Sequence, residues 1–196
     1  MKRFFLYAVA ISALCSSCET EDESFATETN NQTNTLHQEK GVKTSDYQTY
    51  QSVLNSFVYN NQQTHQENLL LFEEHVNRQM FNYVPQETYK YEKINTEQVL
   101  ILEQANVDFI EQLTYTKQTK QAIYAIVNNQ FNSETTQLIT KQNERRLIET
   151  LFALHNNGNG DDNKLNDKRN IAFAYGAQYS LTQAVLYAGA IEILTK

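Results

Sequence analysis

From Ser45 onward, apolar side chains recur every three or four residues, the period of a helix with one buried face. Tyr47, Tyr50, Val53, Leu54, Phe57 and Val58 form a first stripe, and Leu69, Phe72, Val76 and Met80 a second. Ser45 or Asp46 supplies an N-cap for the first, and Thr64-His65-Gln66-Glu67 has the form of a capping box. No Gly or Pro separates the stripes, so residues 45–82 fit one long helix or two shorter ones. Pro85 ends this section, and Tyr83, Tyr89 and Tyr91 line a connection that offers aromatic surface to the end of a bundle.

Asn95 or Thr96 starts the next helix, with Val99, Leu102, Ala105, Phe109, Ile110 and Leu113 on its buried side. After a polar stretch at 114–121, Ile123, Ile126, Val127 and Phe131 continue the pattern. Ser133 is expected to cap a further helix carrying Leu138, Ile139, Leu147, Ile148, Leu151 and Phe152, with His155 partly buried at its end. Strand-like alternation is short and scattered. The spacing predicts an all-α bundle of five or six helices over residues 44–196.

The last stretch, from Asp167 to about Leu194, reads as a buried C-terminal helix. Residues 171–194 hold a single charge, Glu192, which brings a membrane span into consideration. Gln178, Ser180, Thr182 and Gln183 lie at its centre, however, where lipid offers no hydrogen-bond partner. Small residues recur at Ala172, Gly176, Ser180, Ala184 and Ala188, beside an apolar row from Phe173 through Ala177, Leu181, Val185 and Gly189 to Ile193. Small side chains admit another backbone closely, so this stretch is expected at the centre of the bundle.

The N-terminus follows different rules. Lys2 and Arg3 precede an apolar run from Phe4 to Leu14, too short to span a membrane as a mature helix. The run ends at Leu14-Cys15-Ser16-Ser17-Cys18. Cys18 follows two small residues, as a narrow peptidase pocket requires, whereas Cys15 follows bulky Leu14. The segment resembles a bacterial lipoprotein signal, with Cys15 standing where Leu, Val or Ile is usual. The resemblance implies removal of residues 1–17 and acylation of Cys18. Glu19, Glu21, Asp22 and Glu23 follow at once, and resemble the acidic export signal of surface-exposed lipoproteins of the Bacteroidota. That implies an anchor in the outer leaflet of the outer membrane. Residues 18–43 have apolar side chains only at Phe25, Ala26, Leu36 and Val42 after the anchor, and read as a disordered acidic and polar tether.

Composition sharpens this. Five Gly and one Pro in 196 residues argue against a many-turned β architecture. The net charge of −7 becomes −9 once Lys2 and Arg3 leave with the signal, which excludes a phosphate-tracking nucleic-acid binder. Cys18 is then the only cysteine, so no disulfide and no thiolate chemistry is expected. Asn and Gln number 21 and 19, an amide richness that fits long solvated helix faces.

Candidate chemistry is sparse. Asn157, Asn159, Asp161 and Asn163 put calcium-type oxygens on a Gly-containing loop. Counted from Asn157, an EF-hand would need Gly at 162 and Glu at 168, where Asp and Lys stand, so a plain turn is the favoured reading. His65, Glu67, Glu73, Glu74 and His75 cluster, but a di-metal carboxylate motif needs Glu three residues before His, and position 72 is Phe. Glu74 is instead spaced to pair with Arg78 on an exposed helix face. No nucleophile elbow, phosphate loop, dinucleotide fingerprint or HExxH zinc motif occurs, so no cofactor is expected. Tyr175, Tyr179 and Tyr187, with Gln183 completing a four-residue row, suit either a groove for a glycan or peptide or the seating of a neighbouring helix; packing is the favoured reading.

These features lead to the expectation of a lipid-anchored envelope protein, a non-enzymatic binding or structural module at the outer-membrane surface. Two alternatives stand beside it. One is a periplasm-facing accessory or protective lipoprotein. The other is a hydrolase whose site unites His65, His75 or His155 with carboxylates in space.

Overall fold

The computed structural model describes residues 45–157 and 163–195. Every regular element among them is helical, so the domain is the all-α bundle that the periodicity predicts. The elements are α1 (Asp46–Asn55), α2 (His65–Met80), α3 (Thr96–Glu103), a 3-10 helix (Val107–Gln112), α4 (Lys117–Val127), α5 (Glu134–Gln137), α6 (Gln142–Asn156), α7 (Asn163–Ala177) and α8 (Leu181–Leu194). That exceeds the five or six expected, because three long stripes are each interrupted, two of them where the side chains of Asn106 and Ser180 cap the backbone.

Residues 45–82 form two helices. Ser45 and Thr64 each close a capping box, with Gln48 and Glu67 reaching back to the cap. From the first turn of α2, buried Asn68 holds the connection between them: it accepts from Asn60 N (2.9 Å) and donates to the carbonyls of Asn60, Gln63 and Thr64. Further on, Asn106 accepts from Asp108 N and starts the 3-10 turn, so the Val99–Leu113 stripe is split in two. Ser133 does not cap: its backbone is αR and its side chain makes no capping bond, leaving a single turn, α5, before α6 begins.

The larger correction lies at the C-terminus. The expected single helix is an antiparallel pair, α7 and α8, joined by Gln178–Ser180. Ser180 takes an extended conformation and accepts from Gln183 N (2.9 Å), capping α8 where a continuous helix would have run on. The turn is tied outward as well: Gln178 Oε1 accepts from Thr114 N and Oγ1 (2.7 Å each), and Ser180 Oγ donates to Glu92 Oε2 (2.7 Å). The mid-stretch polar residues are therefore the hinge of a hairpin.

The small residues act as expected, with α7 and α8 as the two backbones. A β-carbon at Gly176 would overlap the backbone of Gln183 and Ala184, and one at Gly189 would overlap the Phe72 ring. The two helices share the centre of the bundle: α7 packs on α6, α3, α4 and the 3-10 helix, and α8 on α2, α3 and α1. On α8, Val185, Leu186, Ala188, Ala190, Ile191 and Ile193 are all buried. No helix among the described residues is long and apolar enough to cross a membrane.

Gly176→Ala is expected to destabilise the fold by about 1–3 kcal/mol, since only backbone can yield there. Gly189→Ala should cost less in a Phe72→Leu background than in the wild type. Urea denaturation of Gly176→Ala measures the first effect, and a double-mutant cycle of Gly189→Ala and Phe72→Leu the second.

Candidate functional site

Tyr175, Tyr179 and Tyr187 do come together, but across the hairpin. Tyr175 closes α7, Tyr179 sits in the turn and Tyr187 lies on α8. The Tyr175 ring meets Tyr179 and Tyr187 edge-on, at 5.5 and 5.2 Å between centroids, and Phe109 lies 6.1 Å away. Tyr187 is buried and Tyr175 half-buried, both with hydroxyl pKa values raised chiefly by burial, whereas Tyr179 is 66% exposed. Gln183 leaves the row and donates to Lys93 O (3.3 Å). Tyr175 thus seats the hairpin against the 3-10 helix, Tyr187 packs within the hairpin, and Tyr179 faces solvent.

The histidines are held in three separate settings. His65 begins α2 and bonds Tyr59 through Nδ1 (3.0 Å). Ten residues on, roughly 15 Å along the helix, His75 is buried. Its Nδ1 receives Arg78 (3.3 Å), and its Nε2 faces Val53 O (3.1 Å) and Ser56 Oγ (3.0 Å). That pattern assigns a neutral ring protonated on Nε2. Burial holds the pKa below its ordinary value, assisted by the Arg78 charge and opposed by the bond to Val53. Arg78 is therefore turned to His75 rather than to Glu74. His155, half-buried at the end of α6, bonds Asn129 Oδ1 (2.7 Å) and faces Asn170 Nδ2 (3.4 Å). Among the described residues, no group of three His, Cys, Asp or Glu side chains could hold a metal ion.

Carboxylates of the α2 cluster have structural partners too. Buried Glu73 accepts from Tyr91 OH (3.1 Å) and Ile94 N (2.6 Å). Next to it, Asn77 donates to Glu92 O (2.8 Å) and accepts from Glu92 N (2.8 Å) and Tyr89 OH (2.7 Å). The segment after Pro85, irregular in backbone, is thus fastened along α2. Glu67 is the capping residue of Thr64, and that bond lowers its pKa.

Cys18, Glu19, Glu21, Asp22 and Glu23 lie outside the described residues, as do Asn159 and Asp161 and the side chain of Asn163. Asn157 is described, and its amide turns back to Ala153 O (2.8 Å), a helix-end bond.

The concave polar surface sits elsewhere, at the seam of α1, α6 and the hairpin. Arg146 on α6 pairs with Asp46 at the start of α1, one hundred positions away in the chain. Beside this pair opens a cleft of about 510 Å³, floored by Leu147, Phe173 and Leu181 and edged by Gln142, Asn143 and Tyr115. Tyr115 OH donates to Ala174 O (2.7 Å), which fixes the ring upright between this cleft and a second of about 500 Å³. Lys120, whose Nζ reaches Glu111 O (2.5 Å) and lies 3.7 Å from its carboxylate, lines the second with Lys117 and half-exposed Tyr124. None of these residues stands out by motif. Asp46 is legible only as a helix start and Arg146 only as a charge on a solvated face, and their meeting depends on how α1 docks.

Glu144 fastens α6 to the start of α4. It is 3% exposed and accepts from Thr116 N, Thr116 Oγ1 and Thr119 Oγ1 at the start of α4, and from Lys141 (2.9 Å). Burial pushes its pKa up, but these hydrogen bonds outweigh it and hold the carboxyl at about 2. The chain matches no protein-family model, no curated protein and no solved structure.

A carboxyl held below its ordinary value of 4.5 stabilises the fold above that pH, and the stabilisation is lost as pH falls from 4.5 toward 2. Glu144→Gln is expected to cost about 1–3 kcal/mol at pH 7 and to flatten the stability curve over that window. Urea melts at intervals from pH 7 to pH 2.5 check both.

Proposed function

We propose that the protein is a lipid-anchored component of the cell envelope, a non-enzymatic binding or structural module displayed at the outer-membrane surface. The observation that carries this reading is the run from Lys2 to Glu23: a basic start, a short apolar segment, a cysteine after two serines, and four carboxylates at once behind it. A compact helical domain with an open polar surface suits display on such an anchor. His75, Glu73 and Glu144, the buried ionisable groups that chemistry would recruit, are engaged in fastening helices and connections, which favours a binding or structural role over hydrolysis.

Metabolic labelling with a fatty acid is expected to mark the wild type and Cys15→Ala and to vanish in Cys18→Ala. Label that survives in Cys18→Ala would move the anchor. Protease added to intact cells should remove the domain; cleavage only after permeabilising the outer membrane would assign it to the periplasmic side.

A further inference from the structure

We propose that the two clefts flanking Tyr115 form one binding site for a neutral oligosaccharide. This deepens the reading of the protein as an envelope binding module and rests on it. Each cleft falls within the roughly 300–1,000 Å³ of small-ligand sites, and the shared Tyr115 makes them neighbouring compartments that one elongated ligand can occupy together.

The lining decides the ligand class. Nucleotides and other phosphate ligands call for cations free to meet them. Here Arg146 is paired with Asp46 and Lys120 with Glu111, which leaves only exposed Lys117 at the rim of the second cleft, a single cation against that need. Each compartment presents a donor–acceptor pair. An acyl chain needs an apolar enclosure, whereas these clefts are open and edged by the amides of Gln142, Asn143 and Gln121. A sugar ring has what both halves ask for. Its hydroxyls meet carboxylate, guanidinium and amide groups, and its C–H faces lie on apolar and aromatic surface. Leu147, Phe173 and Leu181 supply that surface in one compartment, and Tyr115 and Tyr124 in the other. The Tyr115 hydroxyl is anchored to Ala174 O and Arg146 is fixed by its partner, so the central ring and one pair are preorganised.

The full-length protein in detergent micelles is titrated calorimetrically with hexasaccharides of glucose, xylose, mannose and N-acetylglucosamine, and with hexagalacturonate as an acidic control. Binding of at least one neutral hexasaccharide is expected, insensitive to salt. Gln142→Leu alters an exposed side chain at the rim, and Tyr124→Ala removes half-exposed aromatic surface. Each should weaken binding about tenfold, whereas Leu138→Ala, at an exposed site that lines neither cleft, leaves it unchanged. Circular dichroism verifies that all three variants keep the fold. Failure of every neutral hexasaccharide to bind would overturn the proposal, as would binding by Gln142→Leu and Tyr124→Ala as tight as that of the wild type. Binding of hexagalacturonate alone, lost at high salt, would also overturn it. Surface proteolysis and acyl labelling report on the envelope reading independently of all these outcomes.

Discussion

The bundle is organised around one largely buried ion pair. Arg169 on α7 donates to Glu192 on α8 (2.6 Å) and, through its other terminal nitrogen, to Leu154 O on α6 (2.8 Å) and Asn166 Oδ1 (2.9 Å). Tyr50 of α1, fully buried, donates to the same Glu192 oxygen (3.0 Å). Four helices thus converge on two opposite charges. A buried pair adds little net stability compared with apolar packing, but removing one partner strands the other charge at a cost of several kcal/mol. The constraint is therefore one of arrangement: α1, α6, α7 and α8 can assemble only in a register that returns Arg169 to Glu192. Burial and the Glu192 charge also hold the Tyr50 hydroxyl far above its ordinary pKa, so it stays a donor to that carboxylate.

Around this hub, amides do what caps and turns do elsewhere. Asn68 fastens the connection before α2, Asn77 the segment after it, and Gln178 the turn between α7 and α8. Their richness is thus only partly a matter of solvated helix faces. With five Gly and one Pro, the chain has few residues that bend a backbone by their own geometry. Side-chain amides, which both donate and accept, satisfy the peptide groups that irregular segments leave open.

That division explains what could be read in the sequence. Helical period is a local property, and the stripes at Tyr50–Val53, Leu69–Met80 and Leu147–Leu151 are buried as their spacing requires. The Ser45 and Thr64 caps are local too, and they are present. Breaks enforced from outside are not local. The turn at Gln178–Ser180 depends on Thr114 and Glu92, more than sixty positions away, so an apolar stretch with small residues read as one continuous helix. For the same reason the Asp46–Arg146 cleft carries no motif, whereas the tyrosines drew notice by a spacing that the hairpin then redistributed. Glu192 was conspicuous as the lone charge of residues 171–194, but its partner lies two residues before that stretch begins.

The side chains of α2 that hold the segment after Pro85 have a consequence for how the molecule opens. Residues 85–95 form no helix or strand, and a connection of that kind ordinarily exchanges its amide protons with solvent on its own. Here the Glu92 and Ile94 amides donate to Asn77 and Glu73, side chains that are positioned only while α2 is helical and packed on α8. The irregular segment, α2 and α8 therefore belong to one cooperative unit, and a loop without regular structure inherits the opening free energy of the core.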